Sequence, residues 1–219
     1  MNNLYTELAE YVKREKTLVE ARCLNSSVEL AWAFEEQKAN PIKYYRESDL
    51  YIFNLTRYQA RLQNSNYHQW FQKVAQDKEF KKGLDYGGGI GETTICAITA
   101  GVEEMTFVEI AKSKTLDYAT WRFKKHKVLD KIKIVNEGFK IKEDYDFIIA
   151  MDVFEHLENP QPVIEQIAKH TKYIFCNPNQ IKYNYLYPQH ISRFTLEPYF
   201  EELRYYLYKR KEGENNEKY

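Results

Sequence analysis

A cluster of glycines at residues 87–91 constrains the fold of this chain more than any other feature of its sequence. The cluster follows a short strand-like run at residues 84–86 and precedes a stretch of helix-compatible residues. A strand that turns sharply into a helix needs residues that tolerate positive φ, and a ligand pressed against the backbone needs residues without a Cβ atom. Gly87, Gly89 and Gly91 meet both needs, so the pattern predicts a strand, a ligand-binding turn and a helix in that order.

The spacing of the glycines argues against a dinucleotide ligand. The dinucleotide fingerprint places its third glycine three residues after the second, whereas here the third glycine comes one residue earlier and Glu92 stands at the fingerprint position. A pyrophosphate approaching the start of the helix would meet the carboxylate of Glu92, while a sulfonium cofactor carries no phosphate. The pattern therefore favours S-adenosylmethionine over NAD or FAD.

An acidic residue follows the second predicted strand. Residues 105–108 form an apolar run, and Glu109 comes next, about twenty residues beyond the glycine turn, where nucleoside-binding folds place an acid that hydrogen-bonds ribose hydroxyls. Glu109 is therefore the predicted ribose ligand. The alternative is that the glycines form an ordinary tight loop and that Glu109 is an exposed strand end.

The pattern of apolar residues changes near residue 80. From there on, short apolar runs alternate with amphipathic stretches, which is typical of an α/β fold with a Rossmann-like, doubly wound, mostly parallel sheet. The predicted strands lie near residues 83–87, 104–109, 132–135, 145–150, 172–176 and 205–208, and the predicted helices near residues 91–100, 112–124 and 160–170. No helix is expected between the third and fourth strands, and residues 209–219 are expected to be a loose tail.

Residues 1–80 are predicted to form an N-terminal helical cap over the acceptor site, whereas residues 81–219 form the cofactor-binding core. Ser26 and Glu29 have the spacing of a capping box, which predicts that a helix begins there, and Asn40-Pro41 is expected to end it. Further helices are predicted over residues 48–62 and 67–77.

Composition weighs against several functional classes. Lys plus Arg equals Asp plus Glu at 32 each, so no excess positive charge attracts nucleic acid or anionic membranes, although a local basic patch stays open. Residues 1–20 lack an apolar signal core, and no run approaches the roughly 18 apolar residues of a membrane span. Cys23, Cys96 and Cys176 have no disulfide or metal spacing. A cytoplasmic globular protein is expected, with no predicted metal site and an open oligomeric state.

Five segments together resemble a known family. They read LDYGGGIGE, FVEI, YDFIIAMDVFEHLENP, YIFCNPN and QHISRFT. This set, within residues 81–200, resembles the class I S-adenosylmethionine-dependent methyltransferases of the small-molecule type related to the ubiquinone-biosynthesis O-methyltransferases. The resemblance implies methyl transfer to an O or N atom of a small molecule, with S-adenosylhomocysteine as product.

The resemblance also implies positions for the cofactor. In this family the glycine turn contacts the amino acid end of the cofactor, the acid after the second strand holds the ribose, and the loop after the third strand touches adenine. The matching positions are Asp85, Gly87, Gly89, Gly91, Glu109, Gly138 and Phe139. Two departures stand out. The adenine loop lacks the family's aspartate, and the chain ends soon after Tyr208, so one strand of the family's closing hairpin is expected to be missing or short.

Candidate catalytic groups follow the fourth and fifth strands. Ligands of open α/β folds sit at the carboxyl edge of the sheet, where the fourth strand places Asp152 and Val153 as further cofactor-binding candidates. His156 is the first candidate base because histidine exchanges protons near neutral pH, and Glu155 could orient a neighbouring group. His190 is the second candidate base. The alternatives are that Glu155 and His156 brace the next helix and that His190 is a surface-loop histidine.

The segment after the fifth strand carries two further features. Residues 176–179 favour a turn for backbone reasons, and no catalytic role is predicted for them. Tyrosines in this segment, whose alternation also permits a strand, and in the N-terminal region suit a planar or hydrophobic acceptor, although ordinary packing between cap and core is the alternative. They are Tyr44, Tyr45, Tyr51, Tyr58, Tyr183, Tyr185 and Tyr187.

Two other functions stay open from the sequence. A methyltransferase acting on a protein or RNA could use residues 43–46, Arg57 and Arg61 to stack on bases or to hold an acidic partner, although a solvated helix face explains these charges equally. A non-catalytic module that kept the cofactor fold is the third hypothesis, because fold alone does not establish a reaction.

Overall fold

A seven-stranded sheet with helices on both faces organises the chain. The computed structural model describes residues 3–37, 40–177, 190–204 and 206–212. Its helices are α1 (Leu4–Val12), α2 (Lys16–Gln37), α3 (Pro41–Glu47), α4 (Tyr51–Asn64), α5 (Tyr67–Asp77), α6 (Glu92–Thr99), α7 (Lys114–Lys125) and α8 (Gln161–His170). Its strands are β1 (Lys82–Tyr86), β2 (Glu104–Val108), β3 (Ile132–Val135), β4 (Tyr145–Ala150), β5 (Thr171–Cys176), β6 (Phe200–Arg204) and β7 (Leu207–Arg210). No helix in the described ranges has both the length and the apolarity that crossing a bilayer requires.

The strand order is β3-β2-β1-β4-β5-β7-β6. Strands β1 to β5 are parallel, and β7 runs antiparallel to both β5 and β6. From β1 the chain winds outward to β2 and β3, then returns to place β4 on the other side of β1. Connections therefore leave the carboxyl ends of β1 and β4 in opposite directions, which opens a crevice between them. The predicted doubly wound, mostly parallel sheet is confirmed.

Both faces of the sheet are buried, which explains why its strands are nearly continuous apolar runs. Alternate residues of β4 serve opposite sides: Phe147 and Ile149 pack into a core with α5, α6 and α7, whereas Ile148 and Ala150 pack with α8. The five predicted parallel strands and the three predicted core helices are confirmed to within a few residues. As expected, residues 136–144 between β3 and β4 contain no helix.

The carboxyl-terminal hairpin differs from the prediction. Both of its strands are present, so the expectation of a missing or short strand was wrong, and residues 209 and 210 belong to β7 instead of a loose tail. Strand β6 was missed because it is an edge strand in which Phe200 is the one buried residue, so it shows no alternating apolar pattern. Residues 205 and 213–219 lie outside the described ranges.

The first helices also differ in one boundary. Helix α2 is continuous, and Ser26 sits in its middle, where its hydroxyl donates to the Cys23 carbonyl at 2.8 Å. The predicted helix start at Ser26 was therefore wrong, because a serine inside a helix can bond back to the preceding turn instead of capping a new helix. Asn40 caps α3, with Pro41 in the first turn, as the stop signal indicated. Helix α5 has the predicted bounds, and α4 starts three residues later than predicted.

Helix α5 belongs to the packing of the sheet. The ring of Phe71 lies 4.8 Å from that of Phe175, and Phe80 stacks on Phe147 at 4.8 Å between centroids. Helices α1, α2 and α4 instead form a separate apolar cluster that meets α7 through Tyr118. Helices α1 to α4 therefore lie outside the sheet's own core, and they are called the cap below.

A buried arginine joins the first helix to the glycine turn. Arg122 on α7 is 1% exposed, and its guanidinium donates to Glu7 of α1 at 2.8 Å, to the Ile90 carbonyl at 2.8 Å and to Glu92 of α6. Glu7 also lies 2.9 Å from the Nε2 atom of His126. A buried charge is tolerated where it is paired and its donors are satisfied, and here one arginine couples three segments.

Replacing Glu7 with glutamine tests this network through its pH dependence. Burial raises the pKa of Glu7, but the hydrogen bond with His126 and the charge of Arg122 outweigh it and lower the pKa to about 2. Such a carboxylate stabilises the fold above its unfolded pKa of about 4.5 and loses that contribution as the pH falls toward 2. We expect Glu7→Gln to lower the free energy of unfolding by on the order of 3 kcal/mol at pH 7, since a tenfold change in proton affinity is worth about 1.4 kcal/mol.

Urea denaturation of the wild type and of Glu7→Gln at a series of pH values measures their difference in the free energy of unfolding. This difference should become smaller below about pH 4.5. Glu10→Gln is the matched control on the same helix, because Glu10 is exposed and pairs with Lys125. Glu10→Gln should lower the free energy of unfolding by no more than about 0.5 kcal/mol. Equal losses in the two variants, or a Glu7→Gln loss that does not change with pH, would contradict the role given to the network.

Candidate active site

A cavity opens at the carboxyl edge of the sheet, where β1 and β4 diverge. The ends of β1, β2 and β4 form one side, and helices α3 and α4 close the other. Six of the nine predicted cofactor residues line it, namely Asp85, Gly87, Gly89, Glu109, Asp152 and Val153. Of the three predicted catalytic residues His156 lines it, whereas Glu155 and His190 lie outside the lining. Most of the predicted cofactor residues therefore lie at this cavity.

The glycine turn is held between the sheet and the cap. The N–H groups of Gly87 and Gly88 donate to the Val108 carbonyl at 2.9 and 3.2 Å, which anchors the turn to the end of β2. A Cβ atom on Gly87 would lie 2.8 Å from Cγ2 of Val153, and one on Gly89 would lie 3.2 Å from Leu55 of α4. Bare backbone therefore forms this part of the cavity wall.

Gly91 has a different role from the other predicted glycines. It precedes α6 with a φ of +73°, it does not line the cavity, and a Cβ atom there would overlap the ring of Phe123 on α7. Gly91 therefore permits close packing of α6 against α7. Gly138 and Phe139 also lie away from the cavity lining, whereas Glu137 of the same loop reaches it.

Glu109 is tied to the glycine turn. Its carboxylate accepts hydrogen bonds from the N–H groups of Gly89 and Ile110, both at 2.8 Å. Burial raises the pKa of Glu109 to about 7, although these two hydrogen bonds act to lower it. A carboxylate offers about four acceptor positions, so two stay open beside the cavity, as a pair of neighbouring hydroxyls would need.

Asp85, the last residue but one of β1, lines the cavity and holds the start of α6. Thr94 donates its hydroxyl proton to Asp85 at 2.7 Å. Burial raises the pKa of Asp85 to about 7, and the bond from Thr94 offsets that effect in part. The sequence prediction missed Thr94, although its place one turn into the helix after the glycines is the available signal.

Carboxyl groups are concentrated in the wall of the cavity. Four carboxylates line it, and the described lining residues include no lysine or arginine. They are Asp85, Glu109, Glu137 and Asp152. Burial raises the pKa of Asp85, Glu109 and Asp152 to about 7, so a bound cation would favour their ionised form, whereas a phosphate would oppose it. Glu92 is buried, is paired with Arg122 and lies outside the lining of the cavity. The prediction that its carboxylate would repel a pyrophosphate was therefore wrong.

The two predicted bases lie together. The rings of His156 and His190 are 4.8 Å apart between centroids and nearly perpendicular. The Nδ1 atom of His156 is 3.0 Å from the hydroxyl of Tyr45, and its Nε2 atom is 4.0 Å from Asp152. Burial and the neighbouring His156 lower the pKa of His190, whereas burial and the charge of Glu155 raise that of Asp152 to about 7. The site thus gathers titratable groups from two strand ends and the cap.

Asn177 positions this group. Its side-chain oxygen accepts from the N–H of Asp152 at 2.7 Å, and its amide donates to Glu155 at 2.9 Å. Asp152 has a φ of +60°, an uncommon conformation for a residue other than glycine. The sequence predicted a turn at Asn177 and no further role. Its place directly after a buried parallel strand, at the same sheet edge as Asp152, was the usable signal.

Tyrosines of the cap form the wall opposite the sheet. Tyr45, Tyr51 and Tyr58 line the cavity, and burial raises the pKa of each well above its ordinary value. Tyr44 is buried against Phe34 and donates its hydroxyl to a carbonyl of α2, so it packs the cap. The predicted contributions of Tyr183, Tyr185 and Tyr187, and the strand permitted there, lie outside the described residues.

Two of the three arginines proposed for RNA contacts, Arg46 and Arg57, are engaged within the protein. Arg46 donates to the Ala111 carbonyl at 3.1 Å and to Glu137 at 2.7 Å. Arg57 donates to the Leu24 carbonyl at 3.0 Å. These two side chains therefore stabilise the packing of the cap.

Gly91→Ala should separate a packing glycine from a merely flexible one. The new methyl group would overlap the Phe123 ring, and alanine would have to adopt the left-handed backbone conformation of Gly91. We therefore expect the free energy of unfolding to fall by about 3 kcal/mol or more. Gly101→Ala is the control, because Gly101 also has positive φ but a methyl group added there would meet nothing within 4 Å. Gly101→Ala should lower the free energy of unfolding by about 1–2 kcal/mol. Denaturant unfolding measures both, and a smaller loss for Gly91→Ala than for Gly101→Ala would contradict this packing role.

Comparison with known protein families gives one match. The family model described as "Methyltransferase domain" matches residues 57–197, which is more than half of the chain. No curated protein sequence matches the chain.

The chain is similar to several solved structures. An O-methyltransferase family protein from Burkholderia thailandensis has a TM-score of 0.53 at 9% identity, covering 74% of this chain and 55% of that one. TehB from Haemophilus influenzae has a TM-score of 0.43 at 22% identity, covering 50% and 40%. The N-terminal domain of EvdMO1 with SAH bound has a TM-score of 0.44 at 11% identity, covering 50% and 48%. The chain spans about half the length of the solved structures it matches.

Proposed function

Because the chain belongs to the methyltransferase domain family, we propose that it transfers a methyl group from S-adenosylmethionine to an O or N atom of a small molecule. The observation that carries the proposal is the set of four carboxyl groups in the described lining of the cavity, which includes no lysine or arginine. The sulfonium and amino groups of S-adenosylmethionine are cationic, whereas NAD and ATP bring phosphates. Attraction at this site therefore favours the sulfonium nucleoside.

The residues of the cavity fit this cofactor. The open acceptor positions of Glu109 suit the two ribose hydroxyls. The bare backbone of Gly87 and Gly89, with Asp85 beside it, suits the amino acid end, and Val153 adds an apolar contact. Gly138 and Phe139 are the proposed adenine contacts, because Glu137 of the same loop reaches the cavity. Asp152, which lines the cavity, is a further proposed cofactor contact.

Positioning should supply most of the rate. When bound, S-adenosylmethionine supplies an electrophilic methyl carbon. Correct orientation of an acceptor is worth up to about 7–11 kcal/mol, whereas a general base adds roughly 3–5 kcal/mol. Tyr45, Tyr51 and Tyr58 offer a rigid aromatic wall for a planar or hydrophobic acceptor. His156, which lines the cavity, is the proposed group that accepts the acceptor's proton, and His190 beside it is the second candidate. The Glu155 carbonyl holds the segment that follows His190.

Several observations support the finer parts of the proposal. The resemblance to ubiquinone-biosynthesis O-methyltransferases favours an oxygen acceptor. A protein or RNA acceptor is less well supported, because Arg46 and Arg57 are engaged within the protein and the cavity is acidic. The three cysteines are free and buried, which suits the reducing cytoplasm expected from the sequence.

Glu109→Gln tests the ribose assignment. The substitution removes a charged acceptor, and hydrogen bonds to charged groups contribute about 1.5–3 kcal/mol, so affinity for S-adenosylhomocysteine should fall roughly 10-fold to 100-fold. Isothermal titration measures it. Glu104→Gln is the control, because Glu104 is exposed at the opposite end of β2 and should leave affinity unchanged.

An analogue of S-adenosylhomocysteine without ribose hydroxyls completes this test. If Glu109 binds the ribose, the wild type and Glu109→Gln should bind the analogue with similar affinity. Equal loss of affinity for both ligands would show instead that Glu109 acts through the Gly89 turn alone.

The acceptor class is tested with methyl-labelled S-adenosylmethionine. Incubation with separated metabolite, protein and RNA fractions of cells should place label in a small organic product and release S-adenosylhomocysteine. Gly89→Val is the inactive control, since its branched side chain would project toward Leu55 and fill the cofactor's place. Label confined to protein or RNA would overturn the small-molecule assignment, and no turnover with any fraction would favour a non-catalytic module.

A further inference from the structure

Three potential metal ligands converge beside the tyrosine wall of the cavity. The ligand atoms of Asp152, His156 and His190 all lie within 4.8 Å of one another. Two imidazoles with one carboxylate form a set that suits first-row transition metals better than Mg²⁺ or Ca²⁺, which prefer oxygen ligands. We propose that this trio binds a divalent transition-metal ion such as Mn²⁺, Co²⁺ or Zn²⁺, with Glu155 as an additional carboxylate.

Tyr45 orients His156 for this role. The Tyr45 hydroxyl lies 3.0 Å from Nδ1, while Nε2 on the other side of the ring lies 4.0 Å from Asp152. A metal-binding histidine usually hydrogen-bonds through its other nitrogen, which fixes the tautomer. A nitrogen and an oxygen bound to one ion at about 2.0–2.2 Å each are separated by roughly 3–4 Å. The observed spacing is close to what an ion would set.

Backbone hydrogen bonds bring His190 to the site from a distant part of the chain. The N–H groups of Ile191 and Ser192 donate to the Glu155 carbonyl at 2.9 and 3.2 Å. The Ser192 hydroxyl donates to the Phe154 carbonyl at 3.0 Å. These bonds fasten the residues after His190 to the turn that carries His156, so the ligand set is assembled before any ion arrives.

Glu155 gives an independent indication of a cation. The residue is 6% exposed, and its Oε1 atom accepts from Asn177 at 2.9 Å. Its Oε2 atom is buried and has no hydrogen-bond partner among the described residues. A buried carboxylate oxygen without a partner is costly, and the neighbouring Asp152 carboxyl group makes a negative charge on Glu155 costlier still. A divalent cation would relieve both penalties.

A second trio of buried side chains does not support the same inference. His68, Glu92 and Cys96 are also close together. However, Glu92 is bound to Arg122, and His68 lies 2.8 Å from Gln59 through Nε2. The charge of Glu92 is therefore already balanced by a buried arginine, which disfavours a second cation beside it.

The ion would also act on the acceptor, and this consequence rests on the proposed function. Asp152 and His156 line the cavity, so an acceptor hydroxyl can reach an ion between them. An ion held there would lower the pKa of a coordinated hydroxyl, and the proton would pass to water because His156 and His190 would then be ligands instead of bases. The acceptor oxygen forms a bond to the methyl carbon as the carbon–sulfur bond breaks, and the electron pair of that bond stays on sulfur.

Metal binding is tested without cofactor or acceptor. The untagged protein is stripped with EDTA and titrated with Mn²⁺ while electron paramagnetic resonance reports the free ion. We expect a single site per chain, and with Co²⁺ a visible absorption spectrum typical of nitrogen ligation. Mg²⁺ and Ca²⁺ should compete poorly. Stronger binding of Mg²⁺ or Ca²⁺ than of Mn²⁺, or no binding of Mn²⁺, Co²⁺ or Zn²⁺, would overturn the proposal.

Variants locate the site. His156→Gln and His190→Gln should each weaken Mn²⁺ binding by about tenfold or more. His170→Gln is the control, since His170 lies at the end of α8 beside exposed Asp144. Circular dichroism checks the fold, and Asp152→Asn replaces any variant that does not fold. Equal affinity in the site variants and the control would overturn the assignment. Because no methyl donor is present, a failure here leaves the proposed methyl transfer standing, and weak cofactor binding would leave the metal result standing.

Discussion

The hydrogen bond from the Gly89 N–H to the Glu109 carboxylate is the interaction that organises the cavity. Parallel pairing sets Tyr86 beside Val108, so the turn after β1 and the acid after β2 emerge side by side. The 2.8 Å bond then fixes the turn against the neighbouring strand end. One face of the turn is left as bare backbone and one carboxylate as an open acceptor. The same bond therefore shapes the site and supplies its proposed ribose ligand.

The cap and the core are coupled through charge as well as apolar contact. Arg122 joins Glu7 of the first helix to the carbonyl of Ile90 in the glycine turn. On the other side of the cavity, Tyr45 of the cap reaches His156 of the core. The cap is thereby fixed to both ends of the site, which explains how a tyrosine wall can hold a constant position opposite the sheet.

Local signals predicted the parallel sheet and several of the residues that line the cavity. Apolar runs and the glycine spacing placed β1, β2 and β4, and the rule that ligands bind at the carboxyl edge placed Glu109, Asp152 and His156. Around the site, errors arose where a side chain's partner is distant in sequence. Glu92 looked like a free carboxylate at the turn because its partner, Arg122, lies 30 residues away. The contact between Tyr45 and His156 spans 111 residues, and no local pattern records it.

The acidic, glycine-lined cavity between β1 and β4 is the proposed site of a sulfonium nucleoside, and the proposed chemistry follows from that occupant. A crystal structure of the chain with S-adenosylhomocysteine is the decisive measurement. We expect both ribose hydroxyls on the Glu109 carboxylate and the amino acid end against Gly87 and Gly89. A nucleoside bound elsewhere, or cap side chains that still occupy the cavity at saturating ligand, would contradict the proposal.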